Sequence, residues 1–253
     1  MNFETRFAGI GSLLSPESLN ILKNSHCAVI GLGGVGSWVV ESFARSGIGS
    51  ITLVDLDDIC VSNTNRQIHA ELDNYGKLKI DALEERVLRI NPDCKVRKIH
   101  GYFNKSSIDK VFGDTRYDFV VDAIDSVQDK CELINHCFKT KTPMVISGSV
   151  GGKSDPTKVR VAELSKTRND LMLRKVRKKL KREYGFPLGW TRAKVKAVYT
   201  EEPVRKFRAS EDSESSHMKL DCSGGLGAIT HVSGTIGFFA AHIAISYLIS
   251  RDK

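Results

Sequence analysis

The stretch Ile30-Gly31-Leu32-Gly33-Gly34-Val35-Gly36 restricts what this chain can become more than any other. It follows a short apolar run, Cys27-Ala28-Val29-Ile30, and precedes a helical pattern over residues 37–45. Strand, glycine loop and helix in that order make a nucleotide-binding turn. Glycines let the backbone turn tightly and approach a phosphate with no β-carbon in the way. The helix start aims free N–H groups and its positive dipole end at the anion. The spacing alone serves a nicotinamide dehydrogenase as well as an ATP-user, so the choice falls to the residues downstream.

The rest of the chain alternates. Strands are predicted at 26–30, 50–55, 95–100, 119–123 and 143–147, and helices at 35–45, 77–90 and 130–139. Residues 1–24 read as an irregular arm and a helix, with Ser15 as its N-cap and Pro16 at its first position. Alternation of this kind predicts right-handed βαβ units: an α/β chain with a Rossmann-like, mostly parallel sheet and flanking helices. After Gly148 the pattern changes to a strand at 159–164, a very basic helix at 168–184, a strand-like run at 193–200 and a polar segment at 201–218. Within that segment 210–216 reads as a mobile loop, and an apolar helix follows at 226–249. The expected division is a core over 1–150 and a smaller α+β extension over 151–253, packed on the same domain.

Composition narrows the class. At 253 residues with 41% hydrophobic residues the chain can bury a sizeable core. None of the six cysteines makes a C-x-x-C pair, which predicts no zinc site and a reducing compartment. The first residues carry no apolar core of a signal peptide, so a cytoplasmic protein is expected, with peripheral or membrane association through the C-terminal apolar helix as the alternative. The run 226–249 contains Gly227, Gly234, Gly237, His231 and His242, and a buried core helix explains it better than a membrane span. The net charge of +8 suits a polyanionic partner.

Asp55 closes the second strand, 19 residues after Gly36, where a carboxylate accepts hydrogen bonds from ribose hydroxyls. A dehydrogenase has that residue too. It does not need Asp57, Asp58, the run Ser62-Asn63-Thr64-Asn65-Arg66-Gln67, or Lys79. Arg66 and Lys79 place two cations at the end of one crevice. They suit a triphosphate attacked at its α-phosphate, because charge spreads over those oxygens as pyrophosphate leaves. Asp125, at the end of the fourth strand, is positioned to hold magnesium. His69 is either a substrate contact or a structural hydrogen-bonding residue. His231 and His242 read as core or interface residues, and Cys222 as a small buried apolar residue.

Together GLGGVG, LVDLDD, SNTNRQ, Lys79 and DAIDS resemble the ubiquitin-activating-enzyme-like superfamily over residues 6–149. That superfamily activates carboxylates as acyl-adenylates. The resemblance implies that Gly31, Gly33, Gly34 and Gly36 hold phosphates and that Asp55 holds ribose. It implies nucleotide contacts from Asp57, Ser62, Asn63, Arg66, Lys79 and Ser126, with Asp125 on magnesium and Arg66, Lys79 and Asp125 as the catalytic set. The missing C-x-x-C pairs set this chain apart from the sulfur-carrier activators, which remain the alternative. The phrases at 6–9, 36–38, 57–70, 122–126, 155–157 and 221–228 resemble instead the branch that dehydrates threonylcarbamoyladenosine in tRNA. This implies ATP-dependent ring closure of that side chain, a homodimer, and a place for a sulfur-relay partner. One departure stands out. An arginine that the branch carries after its RF-x-G phrase, thought to reach a neighbouring subunit's ATP, is Ser12 here, so that either Arg6 substitutes for it or the in-trans contact is weaker.

The basic helix fits a tRNA partner. Residues 166–182 hold nine Lys or Arg, only Asp170 and Glu183 carry the opposite charge nearby, and Arg192, Lys194, Lys196, Arg205, Lys206 and Arg208 follow. Solvated helix faces normally mix signs, so Arg174, Lys175, Arg177, Lys178 and Lys181 are expected to contact the tRNA backbone without reading sequence.

Overall fold

The glycine loop leaves the carboxyl end of the first strand of a seven-stranded sheet. The computed structural model describes residues 2–186, 195–204 and 226–251. The chain opens with three short helices, α1 (Phe3–Arg6), α2 (Ala8–Leu14) and α3 (Pro16–Asn24). The predicted irregular arm is therefore helical; Ser15 caps α3 by accepting from the Ser18 amide, with Pro16 in the first turn. There follow β1 (His26–Ile30), α4 (Gly36–Arg45), β2 (Ser50–Asp55), α5 (Lys79–Ile90), β3 (Lys95–His100), α6 (Ile108–Val111), β4 (Phe119–Asp122), α7 (Val127–Thr140) and β5 (Met144–Ser147). The chain closes with β6 (Val159–Glu163), α8 (Leu171–Tyr184), β7 (Lys196–Thr200) and α9 (Thr230–Ser250). Two helices begin away from their predicted starts because a capping side chain sets the first turn. Ser126 accepts from the Asp129 amide to start α7, and Asp170 accepts from the Leu173 amide to start α8.

The strand order is β3-β2-β1-β4-β5-β7-β6, parallel except for β6 against β7. Strands sandwiched between helix layers are apolar on both faces. In β1, Cys27 and Val29 enter a core with α3, α4, α5 and α9, while Ala28 and Ile30 enter another with α6 and α7. The order of strand addition reverses between the parallel strands β1 and β4, since β2 and β3 build outward on one side and β5 on the other. The open crevice lies at their carboxyl ends, where such sheets take ligands. The sheet also runs past residue 150 without a break, as β7 pairs in parallel with β5. The predicted loop at 210–216, Cys222 and the cations Arg192, Lys194, Arg205, Lys206 and Arg208 lie outside the described residues.

The last helix is long and apolar enough to cross a membrane. Here Val232, Ile236, Ala240, Ala244 and Leu248 are buried in the same core as α4. Small residues permit the contact. A β-carbon on Gly237 would lie 2.7 Å from the Trp38 β-carbon and 2.8 Å from the Val35 carbonyl oxygen. Gly237→Val should therefore lower stability by roughly 1–3 kcal/mol, read as a shifted urea midpoint with an unchanged slope. An equal or higher midpoint would show that the two helices do not need this contact.

Candidate active site

The glycines of the loop divide by task. Gly31 has φ +89°, and a β-carbon there would sit 2.8 Å from the Ala123 carbonyl oxygen. One on Gly36 would sit 1.8 Å from the Gly31 carbonyl oxygen. Both are required by the turn itself. Gly33 faces open space, with only the Gln67 amide nitrogen 4.0 Å from its notional β-carbon. Gly34 lies against Arg66, whose Cγ would be 3.1 Å from a β-carbon. The first turn of α4 has no side-chain cap, so its N–H groups are left for a ligand.

Carboxylates and a lysine border one side of the loop. Asp55 accepts from the Leu32 amide at 2.6 Å and from the Asp57 amide at 2.9 Å, which ties β2 to the glycine loop. Lys79, 5% exposed at the start of α5, donates to Asp57 at 2.7 Å and stands 3.8 Å from Asp55. The Tyr102 hydroxyl donates to Asp57 at 3.2 Å. Asp57 raises the Tyr102 pKa most, with Asp55 and Asp125 adding to it, so all three carboxylates act on the same crevice. Tyr102 lies just past β3, and nothing in its sequence neighbourhood marks it.

Arg66 borders the other side. Its Nη1 donates to the Ser62 carbonyl and to Asn65 Oδ1, each at 2.9 Å, and its remaining N–H groups have no partner among the described residues. Asn63 is buried and shapes the loop, its Oδ1 accepting from the Cys60 amide at 3.0 Å. The Trp38 indole N–H donates to the Arg66 carbonyl at 3.0 Å. Thr230 donates to the Asn65 carbonyl at 2.5 Å, and Asn65 donates to the Ala228 carbonyl at 2.8 Å. Gln67 Oε1 and Ser233 Oγ, both buried beside the loop, lack hydrogen-bond partners among the described residues. Trp38, Thr230 and Ser233 were not singled out from the sequence, because their roles arise where α9 meets a loop 165 residues away.

Asp125 is exposed beyond β4. The turn that carries it is set by a fully buried pair, with Lys130 Nζ donating to Asp122 Oδ1 at 2.9 Å. The Ile124 amide donates to the same oxygen at 2.9 Å. Burial pushes the Asp122 carboxyl up, and Lys130 opposes it. Ser126 serves as the α7 cap. Among the described residues no three His, Cys, Asp or Glu side chains cluster as a metal site.

Three sequence expectations change. The His69 side chain neither lies open to the crevice nor makes a hydrogen bond among the described residues. It is 1% exposed, both ring nitrogens lack partners, and it lines a cavity of about 130 Å³ with Arg45, Glu71 and Arg86. Burial, with Lys79 and Arg86, lowers its pKa to about 3. His231 and His242 are exposed, which removes the core reading and leaves the interface one; His231 bonds the Ser154 carbonyl at 2.8 Å. On α8, Leu173, Val176 and Leu180 are buried while Arg174, Lys175, Lys178 and Lys181 are exposed on the opposite side. Arg177 departs from that set, its guanidinium donating to the Thr167 hydroxyl and the Leu164 carbonyl. Arg6 donates to the Ile90 carbonyl of its own α5 at 3.2 Å.

Two tests follow from this geometry. The unfolded state takes up a proton on His69 near pH 6.5 and the folded state only near 3, so folding loses stability as pH falls through that window. Relative to His69→Gln, the protein should lose about 1.4 kcal/mol per pH unit there; parallel stability curves would contradict the burial argument. Trp38→Phe should leave the melting profile cooperative and slow turnover about tenfold, checked by circular dichroism beside initial rates.

Comparison with known proteins agrees with this geometry. Residues 8–251 match the model of the ThiF family. The chain is 43% identical to the tRNA threonylcarbamoyladenosine dehydratase of Haemophilus influenzae, covering 100% of this chain and 96% of that protein. It is 37% identical to the enzyme of that name from Escherichia coli, covering 97% and 94%. The crystal structure of the E. coli tRNA N6-threonylcarbamoyladenosine dehydratase in complex with ATP superposes with a TM-score of 0.88, at 36% identity and 98% and 96% coverage. With residues 8–251 matched by the family model, the chain belongs to the ThiF family.

Proposed function

We propose that this protein is an ATP-dependent tRNA threonylcarbamoyladenosine dehydratase. The observation that carries the reading is the placement of Arg66 against Gly34, with Asp55 and Lys79 on the other flank of the same loop. ATP fits this cradle: Gly33 leaves room for a phosphate with the Gln67 amide nitrogen beside it, the α4 amides meet it, and the Ser233 hydroxyl lies against Gly34 as a further donor. In this reading Gly31, Gly33, Gly34 and Gly36 line the phosphates, and Asp55 orients ribose. Asp57 holds Lys79 until the triphosphate draws on it, and Ser62 and Asn63 shape the loop that presents Arg66. Asp125 fits magnesium in its usual protein setting, one carboxylate plus phosphate oxygens and water. The ion would offset negative charge on the phosphates.

The threonyl carboxylate attacks the α-phosphorus, an oxygen–phosphorus bond forms, and pyrophosphate leaves. Arg66 and Lys79 stabilise the charge on the phosphate oxygens. The carbamoyl oxygen of the same side chain then attacks the activated carbonyl carbon, AMP departs, and a carbamoyl proton is released. Ring closure needs no enzyme nucleophile, since the attacking atom is already tethered beside its target. Residues 1–150 would supply the nucleotide core, and 151–253 would present α8 to the tRNA backbone. A cytoplasmic homodimer, with room for a sulfur-relay partner and no role for zinc, completes the reading.

Incubation with ATP, magnesium and modified tRNA should remove one water from the nucleoside, as read by mass spectrometry. Arg66→Ala should lower that rate by about a thousandfold or more while leaving the fold intact. No mass change, with pyrophosphate exchange driven by a carrier protein's C-terminus, would replace tRNA by a protein substrate. Changing Arg174, Lys175, Lys178 and Lys181 to Gln should weaken tRNA binding and reduce its salt slope by roughly 3–4. Arg177→Gln should lower stability with little change in that slope. An unaltered slope in the fourfold variant would remove α8 from the interface.

A further inference from the structure

The loop that follows β5 is held by buried charge in a way the adenylation chemistry alone does not require. Asp170, 3% exposed, caps α8 through Oδ1, which accepts from the Leu173 amide at 2.8 Å. Its Oδ2 accepts from the Ser149 amide at 2.9 Å and stands 3.6 Å from Lys153 Nζ. Lys153, also 3% exposed, donates to the Thr200 carbonyl at 3.2 Å. A β-carbon on Gly148 would come 2.4 Å from Asp170 Oδ2, so this position must be bare for the carboxylate to reach the loop. At the loop's other end Glu202 accepts from the Ser154 and Asp155 amides at 2.8 and 2.7 Å.

The same loop reaches the crevice. The Gly152 amide donates to the Gly227 carbonyl at 2.7 Å. The next carbonyl, Ala228, accepts from Asn65, the neighbour of Arg66 and a partner of its guanidinium. An unbroken set of hydrogen bonds and covalent links thus joins the start of the basic helix to the arginine loop. Burying a carboxylate and an ammonium carries a desolvation cost that replacement by apolar residues would remove. Retaining the pair makes sense where position matters.

We propose that the loop over residues 148–155 couples α8 to the arginine loop, so that a tRNA seated on α8 meets a correctly placed Arg66, and that Asp170 is the positioning residue that sets this loop. The proposal rests on the tRNA reading above and adds to it a device for aligning the two sites. Continuity of contacts does not by itself establish coupling, so the test must measure coupling.

Asp170→Asn is suited to this, because Asn caps a helix as well as Asp does while the Lys153 partner and the second acceptor are lost. At saturating ATP and tRNA the variant should cyclise at least tenfold more slowly, with ATP and tRNA dissociation constants within twofold of wild type. Combined with Asn65→Ala, which cuts the far end of the link, the loss should be close to the larger single loss rather than their product. A turnover number within twofold of wild type, losses that multiply, or a fall in tRNA affinity that accounts for the whole effect would each overturn the coupling. If Asp170→Asn does not fold, Lys153→Gln is read by the same criteria. A wild-type protein that neither binds nor cyclises the tRNA would overturn the functional reading and this proposal with it.

Discussion

Gly31 lets the chain pass so close to the β4 turn that any side chain there would strike the Ala123 carbonyl. That approach fixes the geometry of the crevice. It brings the turn bearing Asp125 beside the phosphate loop, and the buried Asp122–Lys130 pair holds that turn from behind. On the outer side the loop is backed by Arg66 and by α9. The latter can lie there only because Gly237 leaves room for Trp38. The site is therefore shaped by backbone packing first and furnished with charge second. A rigid cradle of this kind is what transition-state stabilisation requires, since donors that must reorganise during reaction lose much of their effect.

The parallel sheet was legible because buried strands are short apolar runs, and three strands, β1, β2 and β3, match their predicted limits residue for residue. Strand-end carboxylates and the glycine spacing were legible for the same reason: their chemistry is local to one turn. What could not be read was long-range. His69 stands three residues from Arg66, yet its ring is buried between α4 and α5 without a hydrogen-bonding partner among the described residues, and no short-range pattern signals that. Arg177 looks like its basic neighbours, but one helical position rotates it toward Thr167. Trp38 reads as one more apolar residue of a helix until α9 is placed against it. The glycine spacing had left a dehydrogenase open; Arg66 and Lys79 pointed to a triphosphate, and the resemblance to a known superfamily supplied the acyl-adenylate chemistry.

The distribution of charge has a parallel logic. In the crevice Lys79 is partly neutralised where it stands, by Asp57. The cations of α8 largely are not, and four of them share one exposed face. A paired lysine is suited to a small ligand that can displace its partner. An unpaired basic face is suited to a polyanion whose counterions are released on binding. Two kinds of electrostatic site on one sheet match a reaction in which a nucleotide activates a carboxylate carried by RNA.

The account stands or falls on which oxygen meets the α-phosphorus. With tRNA whose threonylcarbamoyl carboxylate carries oxygen-18, one turnover should place one labelled oxygen in AMP, because the carboxylate forms the acyl-adenylate and its oxygen leaves with the phosphate. AMP without label, alongside the cyclised nucleoside, would contradict carboxylate adenylation.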